Sequence, residues 1–343
     1  MAIIKNIKLS YFSSFMKKLF IYVIIALLVM NFVYADNQSF YDRVTTSLNR
    51  DFGDIELYFC EYNDCQKGLI DIINNSEKVV CAFYDLNLEK LIEVLDSKDT
   101  ILVLDKKLKD KNYLENSSMQ IHYKEQSAYM HHKFCVLDNK KVLTGSMNPT
   151  KFGTSRNNNN FFLIESEILV KNYLNEINFL LGKETNKTEN IFIMNNFIME
   201  NYLCPRDCKS GGTNRFVSLV DSSQKTIDIA AFSFTSEELF TAILGAHERG
   251  VEVRIILEKR LINTKGSKFK VLQELGIEII FDNNPGSMHH KFIIIDGAVV
   301  QTGSMNYSTN GLTKNNENFF IIYNPAIANA FTQEFERMWV RFS

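Results

Sequence analysis

Residues 130–150 read MHHKFCVLDNKKVLTGSMNPT, and residues 288–308 read MHHKFIIIDGAVVQTGSMNYS. Twelve of the 21 aligned positions are identical, and the copies lie 158 residues apart. Each copy holds His-x-Lys, an Asp five residues after the Lys, and Gly-Ser-x-Asn seven residues after the Asp. The first supplies His131, Lys133, Asp138, Ser146 and Asn148; the second supplies His289, Lys291, Asp296, Ser304 and Asn306.

The spacing has a physical meaning. Phe-Cys-Val-Leu and Phe-Ile-Ile-Ile are buried-strand sequences, and alternate side chains of a strand share a face. His131 and Lys133 therefore point one way, as Ser146 and Asn148 do on the following strand. Asp138 has the opposite parity and is expected to brace the hairpin rather than touch a ligand. An imidazole, an ammonium, a hydroxyl and an amide on one surface suit an anionic, tetrahedral phosphoryl group. Two copies supply two imidazoles, as a nucleophile and a general acid require.

HxKxxxxD followed by GSxN, present twice, resembles the phospholipase D superfamily over nearly everything after residue 50. The resemblance implies an α/β fold of two pseudo-twofold-related lobes, each a mixed β-sheet flanked by helices, sharing one active site. It implies a catalytic set of His131, Lys133, Asp138, His289, Lys291 and Asp296, with Ser146, Asn148, Ser304 and Asn306 on the substrate phosphate and no metal or other cofactor. Members of the family place an acidic residue after each signature to hold the signature histidine by its other ring nitrogen. The second copy has Glu317 there and the first has Asn159. A carboxylate stabilises an imidazolium more strongly than an amide does. The expectation is that Asn159 backs His131, the nucleophile, and Glu317 backs His289, the general acid.

The repeat extends outward from the signature. Tyr58 to Cys65 matches Tyr202 to Cys208, Lys78 to Tyr84 matches Lys225 to Phe232, and Leu86 to Leu95 matches Thr235 to Leu244 with apolar residues at helical spacing. Strands alternating with helices argue for an α/β lobe. Residues 36–190 form the expected first lobe and 191–343 the second, with the polar stretch 182–190 as linker. Residues 157–160 read as a polar turn, and residues 326–341, with Trp339, as an amphipathic helix covering the sheet. His132 and His290 are expected to pack or hydrogen-bond away from the site, and His122 and His247 have no constellation around them.

Residues 1–35 carry Lys5, Lys8, Lys17 and Lys18, no acid, and an apolar run from Leu19 to Phe32. Val33-Tyr34-Ala35 before Asp36 fits a signal-peptidase site, and Met16 could serve as an internal start. The alternative is a retained N-terminal anchor, although the run is short for a full span. Both place the catalytic part outside the cytoplasm, beside a membrane. Six cysteines are present. In an exported chain Cys60–Cys65 and Cys204–Cys208 are candidate local disulfides; free thiols and a four-thiolate zinc site are the other readings. Cys81 and Cys135 fall within apolar strand patterns. Sequons occur at Asn37, Asn74, Asn116, Asn186 and Asn306.

Lys and Arg total 38 against 40 Asp and Glu. A nonspecific nucleic-acid binder usually carries a basic field, so charge leans toward a phospholipid over a nucleic acid as the phosphodiester partner. The expectation is a monomeric phosphodiesterase acting through a phosphohistidine. A nuclease of the same superfamily and a catalytically idle phosphate-binding envelope protein are the alternatives.

Overall fold

The apolar runs in each half form strands that pair in the same order twice. In the computed structural model the described residues are 48–343, except 62, 115 and 116. The expected leader, residues 1–35, and the sequons at Asn37 and Asn116 lie outside them. The first half contains β1 (Arg50–Asp51), β2 (Ile55–Phe59), α1 (Cys65–Asn74), β3 (Lys78–Phe83), α2 (Glu89–Asp96), β4 (Asp99–Asp105), β5 (Gln120–Lys124), β6 (Lys133–Leu137), β7 (Lys141–Gly145), α3 (Lys151–Ser155), β8 (Asn160–Glu165) and α4 (Glu167–Leu180). The second contains β9 (Ile191–Met194), β10 (Phe197–Cys204), α5 (Thr213–Asp221), β11 (Thr226–Ala231), α6 (Glu237–Glu248), β12 (Glu252–Leu257), α7 (Phe269–Glu274), β13 (Glu278–Phe281), β14 (Lys291–Ile295), β15 (Val299–Gly303), α8 (Thr309–Thr313), β16 (Glu317–Ile322) and α9 (Pro325–Phe342).

One sheet runs β2-β8-β7-β6-β3-β4-β5 and the other β10-β16-β15-β14-β11-β12-β13, with β9 and then β1 added beside β10. Each is mixed: β3, β4 and β5 are mutually parallel, as are β11, β12 and β13, while the signature hairpins pair antiparallel. The pair Arg50–Asp51 belongs to the second half's sheet. Strand parity separates two layers. Phe134, Val136, Phe292 and Ile294 face a core shared by both lobes and filled by α4 and α9; Cys135, Leu137, Ile293 and Ile295 face the outer helices. Ser166 and Asn324 accept backbone N–H groups at the starts of α4 and α9, and Pro325 fits the first turn of α9. Trp339 of α9 stacks on Phe335 at 5.5 Å and lies under Arg254, covering the sheet as expected. Among the described residues no helix is long and apolar enough to cross a membrane.

The sulfurs pair within each lobe. Cys60–Cys65 and Cys204–Cys208 are bonded, so those four thiols are not gathered at one metal site. A third pair, Cys81–Cys135, was not anticipated from the sequence: the two are direct cross-strand neighbours on β3 and β6, with Cα atoms 4.0 Å apart.

The signature aspartates correct an expectation. Counted with the catalytic set, Asp138 and Asp296 instead sit at the far end of the signature strand, about 16 Å along it from Lys133 and Lys291 at the usual rise per residue. Both adopt a positive φ, 51° and 52°, as do the next residues, Asn139 and Gly297. Two successive left-handed residues closed by Lys140 N–H to the Leu137 carbonyl make a type I′ turn, where Asp, Asn and Gly are favoured. The Asp138 carboxylate accepts Glu77 and Lys78 N–H, both at 2.9 Å, and Asp296 accepts Gln224, Lys225 and Thr226 N–H. They fasten the start of β3 and β11 to the signature hairpin, as the parity argument required.

Gly145 is needed for a different reason. A Cβ there would stand 2.3 Å from the Asn160 carbonyl oxygen of the neighbouring strand. Asp138→Ala is therefore expected to cost about 1–3 kcal/mol by leaving backbone donors without their acceptor, while kcat stays within about threefold; urea unfolding and turnover of a generic diester check both halves.

Candidate active site

Both signature histidines are placed by the opposite lobe. His131 N–H donates to the Asn316 carbonyl at 2.9 Å, and His289 N–H donates to the Asn158 carbonyl at 3.0 Å. Short parallel bridges, Met130 with Asn316 and Asn158 with Met288, zip the lobes together on either side. The stretch 157–160, expected as a plain polar turn, is a buried inter-lobe seam. Its backbone is committed across the interface, so the sequence's polar character there reflects hydrogen bonding and not exposure.

The side chains follow the same crossing, and this overturns the expected backing. His131 Nδ1 pairs with Glu317 Oε2 at 2.8 Å, and His289 Nδ1 with Asn159 Oδ1 at 2.9 Å. Each lobe's brace serves the other lobe's histidine, because β8 and β16 each end at the seam facing the opposite signature. Asn159 is itself oriented: its Nδ2 donates to the Gly153 carbonyl at 2.9 Å, leaving Oδ1 to accept from the imidazole. Both imidazoles therefore carry hydrogen on Nδ1 and leave Nε2 for the cleft.

The serines are also reassigned. Ser304 Oγ donates to Glu317 Oε2 at 2.7 Å, and Ser146 Oγ to Asn159 Oδ1 at 3.0 Å. Both are fully buried. Their hydroxyl hydrogens are given to the braces, a role the sequence reading did not assign them. Among the described residues the Asn148 and Asn306 side-chain oxygens are buried without a partner, at the positions expected to meet a ligand.

Lys133 and Lys291 are almost fully buried, and each donates to the carbonyl of its own signature histidine, at 2.6 and 2.7 Å. The electrostatics show that the groups are gathered. Burial, then Lys133 and Lys291, push the His131 imidazole well below its usual range; burial, Lys291, Lys133 and His131 do the same to His289. Burial brings Lys133 down to about 7 and pushes Glu317 up to about 7. Lys291 is also held well below the usual lysine range, by burial first and Lys133 second.

Several residues escaped the sequence reading. Tyr84 and Phe232, each one residue beyond β3 and β11, set ring edges against His131 and His289 at 4.6 and 4.7 Å. The signature lysines lie over these rings, Lys133 Nζ 5.2 Å from Tyr84 and Lys291 Nζ 5.0 Å from Phe232; in the first lobe Lys107 Nζ, paired with Asp85, adds a second cation 3.5 Å above Tyr84. Asp105 and Glu258 accept Met130 and Met288 N–H, each at 2.9 Å, fixing the approach to the histidines. The aligned charges at the ends of β4 and β12 were the available signal. The second histidines bond away from the site, as expected. His132 Nε2 pairs with Glu176 and His290 Nε2 with Glu334, both at 3.0 Å, and Arg206 and Arg337 complete these buried trios. His247 Nε2 meets the Leu275 carbonyl at 3.1 Å, on an exposed part of the second lobe.

Known proteins resemble this chain in both lobes. The family described as "Cardiolipin synthase, PLD-like domain" matches residues 68–181 and 216–339, one match in each lobe. Mitochondrial cardiolipin hydrolase of Xenopus tropicalis is 34% identical over 144 residues, covering 42% of this chain and 69% of that protein. The human protein of that name is 34% identical over 142 residues, covering 41% of this chain and 56% of its own length. The chain thus spans between about half and two thirds of the length of these relatives. Phosphatidylserine synthase of Haemophilus influenzae shares the fold across both lobes, with a TM-score of 0.62 over 86% of this chain and 89% of that one at 15% identity. A doubled family match over two lobes that build one site settles the lineage: the chain belongs to the phospholipase D superfamily.

Proposed function

We propose that this chain hydrolyses a phospholipid phosphodiester through a phosphohistidine on His131, without a metal ion. The observation that carries the reading is the crossed brace: two imidazoles, tied back through Nδ1 by different lobes, present Nε2 beside two buried lysines. His131 Nε2 attacks phosphorus as the bond to the leaving oxygen breaks, and His289 Nε2–H gives that oxygen its proton. Water then attacks phosphorus, His289 takes its proton, and the P–N bond breaks to release a phosphomonoester. Lys133, Lys291, Asn148 and Asn306 hold the nonbridging oxygens. Splitting one displacement into two is the gain from covalent catalysis.

The crossed geometry changes the argument for the roles. Had a carboxylate marked the general acid, His131 would be that acid. Attack, however, turns the nucleophile into a cationic phosphoimidazolium, and Glu317 stabilises that charge. Asn159 backs His289 with a neutral amide, which leaves its imidazolium a stronger acid toward the leaving oxygen. His131 remains the nucleophile, for a reason opposite to the one the sequence suggested. The names of the relatives and the modest net charge support a lipid substrate, and an exported or anchored location would place the site beside it.

The full chain in EDTA should hydrolyse cardiolipin or phosphatidylcholine vesicles and bis-p-nitrophenyl phosphate. Turnover of single-stranded DNA or RNA but no lipid would replace the substrate assignment, and no turnover of any diester would make the chain an idle phosphate binder. His289→Ala should accumulate phosphorylated protein that His131→Ala never forms, and the reverse pattern would exchange the roles.

The pH dependence is also specified. Glu317 must be ionised to support attack, and it gains its proton as pH falls through about 7. Lys133 must be charged to hold phosphate, and it loses its proton as pH rises through about 7. In the free enzyme kcat/KM should therefore form a narrow bell near neutral pH. Glu317→Gln should lower kcat roughly a hundredfold or more and remove the acid limb while the alkaline limb persists.

A further inference from the structure

Two cavities lie at opposite ends of the inter-lobe seam. One, about 330 Å³, is lined by Ser127, Ala128, Tyr129, Asn310, Lys314 and Asn315. The other, about 390 Å³, is lined by Arg156, Asn157, Asn284, Gly286 and Arg341, among others. They are the same place in the two halves: residues 127–129 and 285–287 precede the signatures, and Lys314 lies 158 residues after Arg156, the offset between the two signatures. Arg341 is neutralised by Glu61. Neither Arg156 nor Lys314 makes an ion pair or side-chain hydrogen bond to a described residue; Arg156 only rests 4.9 Å over the Phe152 ring. Each half thus keeps one uncommitted cation at its cavity, beside side-chain amides that can donate to an anion.

Both cavities connect to the chemistry. Asn315 Nδ2 reaches Glu317 Oε1 at 3.4 Å, and Tyr129 packs on Tyr84, which packs on His131. On the other side Asn157 Oδ1 accepts Ser287 N–H at 2.9 Å, two residues before His289. Close approach built the second cavity's wall, since a Cβ on Gly286 would lie 2.0 Å from the Arg156 carbonyl oxygen.

We infer that these cavities are subsites flanking the scissile phosphate, and that Lys314 and Arg156 read a second phosphate on the same lipid headgroup. This rests on the phosphodiesterase reading above. A headgroup with two phosphates separated by a short polyol can place one between the histidines and the other at either end of the seam. Two isolated cations suit a discrete second phosphate better than the run of charges along a nucleic-acid strand. Exposed Tyr129 and Phe152, 53% and 58% accessible, set an aromatic ring beside each cavity, the pairing favoured at a lipid interface.

The test uses water-soluble headgroups, so it does not depend on lipid turnover. Bis(glycerophospho)glycerol, with two phosphates, and glycerophosphoglycerol, with one, compete against bis-p-nitrophenyl phosphate for the full chain. The two-phosphate compound should compete better, by roughly twofold to fivefold per cation, as an exposed ion pair delivers. Lys314→Gln and Arg156→Gln should each reduce that ratio, which cancels any general loss of activity, and Lys314→Arg should retain it. The advantage should also shrink as salt rises. A ratio of one in the unaltered chain, or a ratio untouched by both substitutions, overturns the inference. So does a trinucleotide that outcompetes both headgroups and loses its advantage in the same variants. Failure of the phosphodiesterase reading would appear separately, as an absence of diester hydrolysis.

Discussion

The exchange of braces between lobes is the constraint on which the site depends. Glu317 of the second lobe fixes the histidine of the first, and Asn159 of the first fixes the histidine of the second. Neither lobe alone holds an oriented imidazole, because each would lose both the Nδ1 partner and the backbone acceptor that places its histidine. The shared core explains how the exchange is maintained. Inner faces of both sheets, α4 and α9 bury one continuous apolar cluster, so the lobes cannot separate without exposing it. At roughly 1.5–3 kcal/mol for each fully buried large apolar side chain, that cluster opposes opening far more strongly than the few hydrogen bonds across the seam.

Much of this was legible in the chain. The period-two signature strands, the matched helices and the doubled motif correctly imply two mixed sheets of one order. The parity of Asp138 against His131 correctly implies a structural carboxylate, even though the family motif groups it with the catalytic residues. What sequence could not carry is the direction a side chain takes across an interface. An alignment sets Asn159 beside His131 and Glu317 beside His289, because it compares each half with itself; the pseudo-twofold axis then exchanges them. The serines were misplaced for a related reason. Ser146 and Ser304 end their strands beside β8 and β16, so their hydroxyls meet the braces before any ligand. Cys81 and Cys135 belong to strands whose register follows only once β3 is known to pair with β6.

The two halves repeat each other's scaffold but not each other's chemistry. Tyr84, under both Lys133 and Lys107, faces His131, whereas Phe232, under Lys291, faces His289. Glu317 and Asn159 differ by a charge. Two identical imidazoles would share one proton and either could take either part; unequal neighbours bias which of them holds it. The asymmetry sits in the residues that touch the histidines, while the residues that fix the backbone, such as Asp105 and Glu258, remain acidic in both. Division of labour therefore required few departures from the repeat.

The buried histidines that do not face the cleft show what the others lack. His132 and His290 each meet a buried glutamate that an arginine also holds, so every charge in those trios has a partner. At the cleft Glu317 is the carboxylate bonded to a signature histidine, Asp105 and Glu258 act on the lysines from farther off, and burial drives the lysines and histidines toward their neutral forms. An arriving phosphodiester supplies the missing negative charge and raises the proton affinity of all four groups. In the proposed mechanism this favours His289 as proton donor and Lys133 as the cation on the phosphate. Burial thus works against the charged forms of the protein's own groups, and a phosphate works for them.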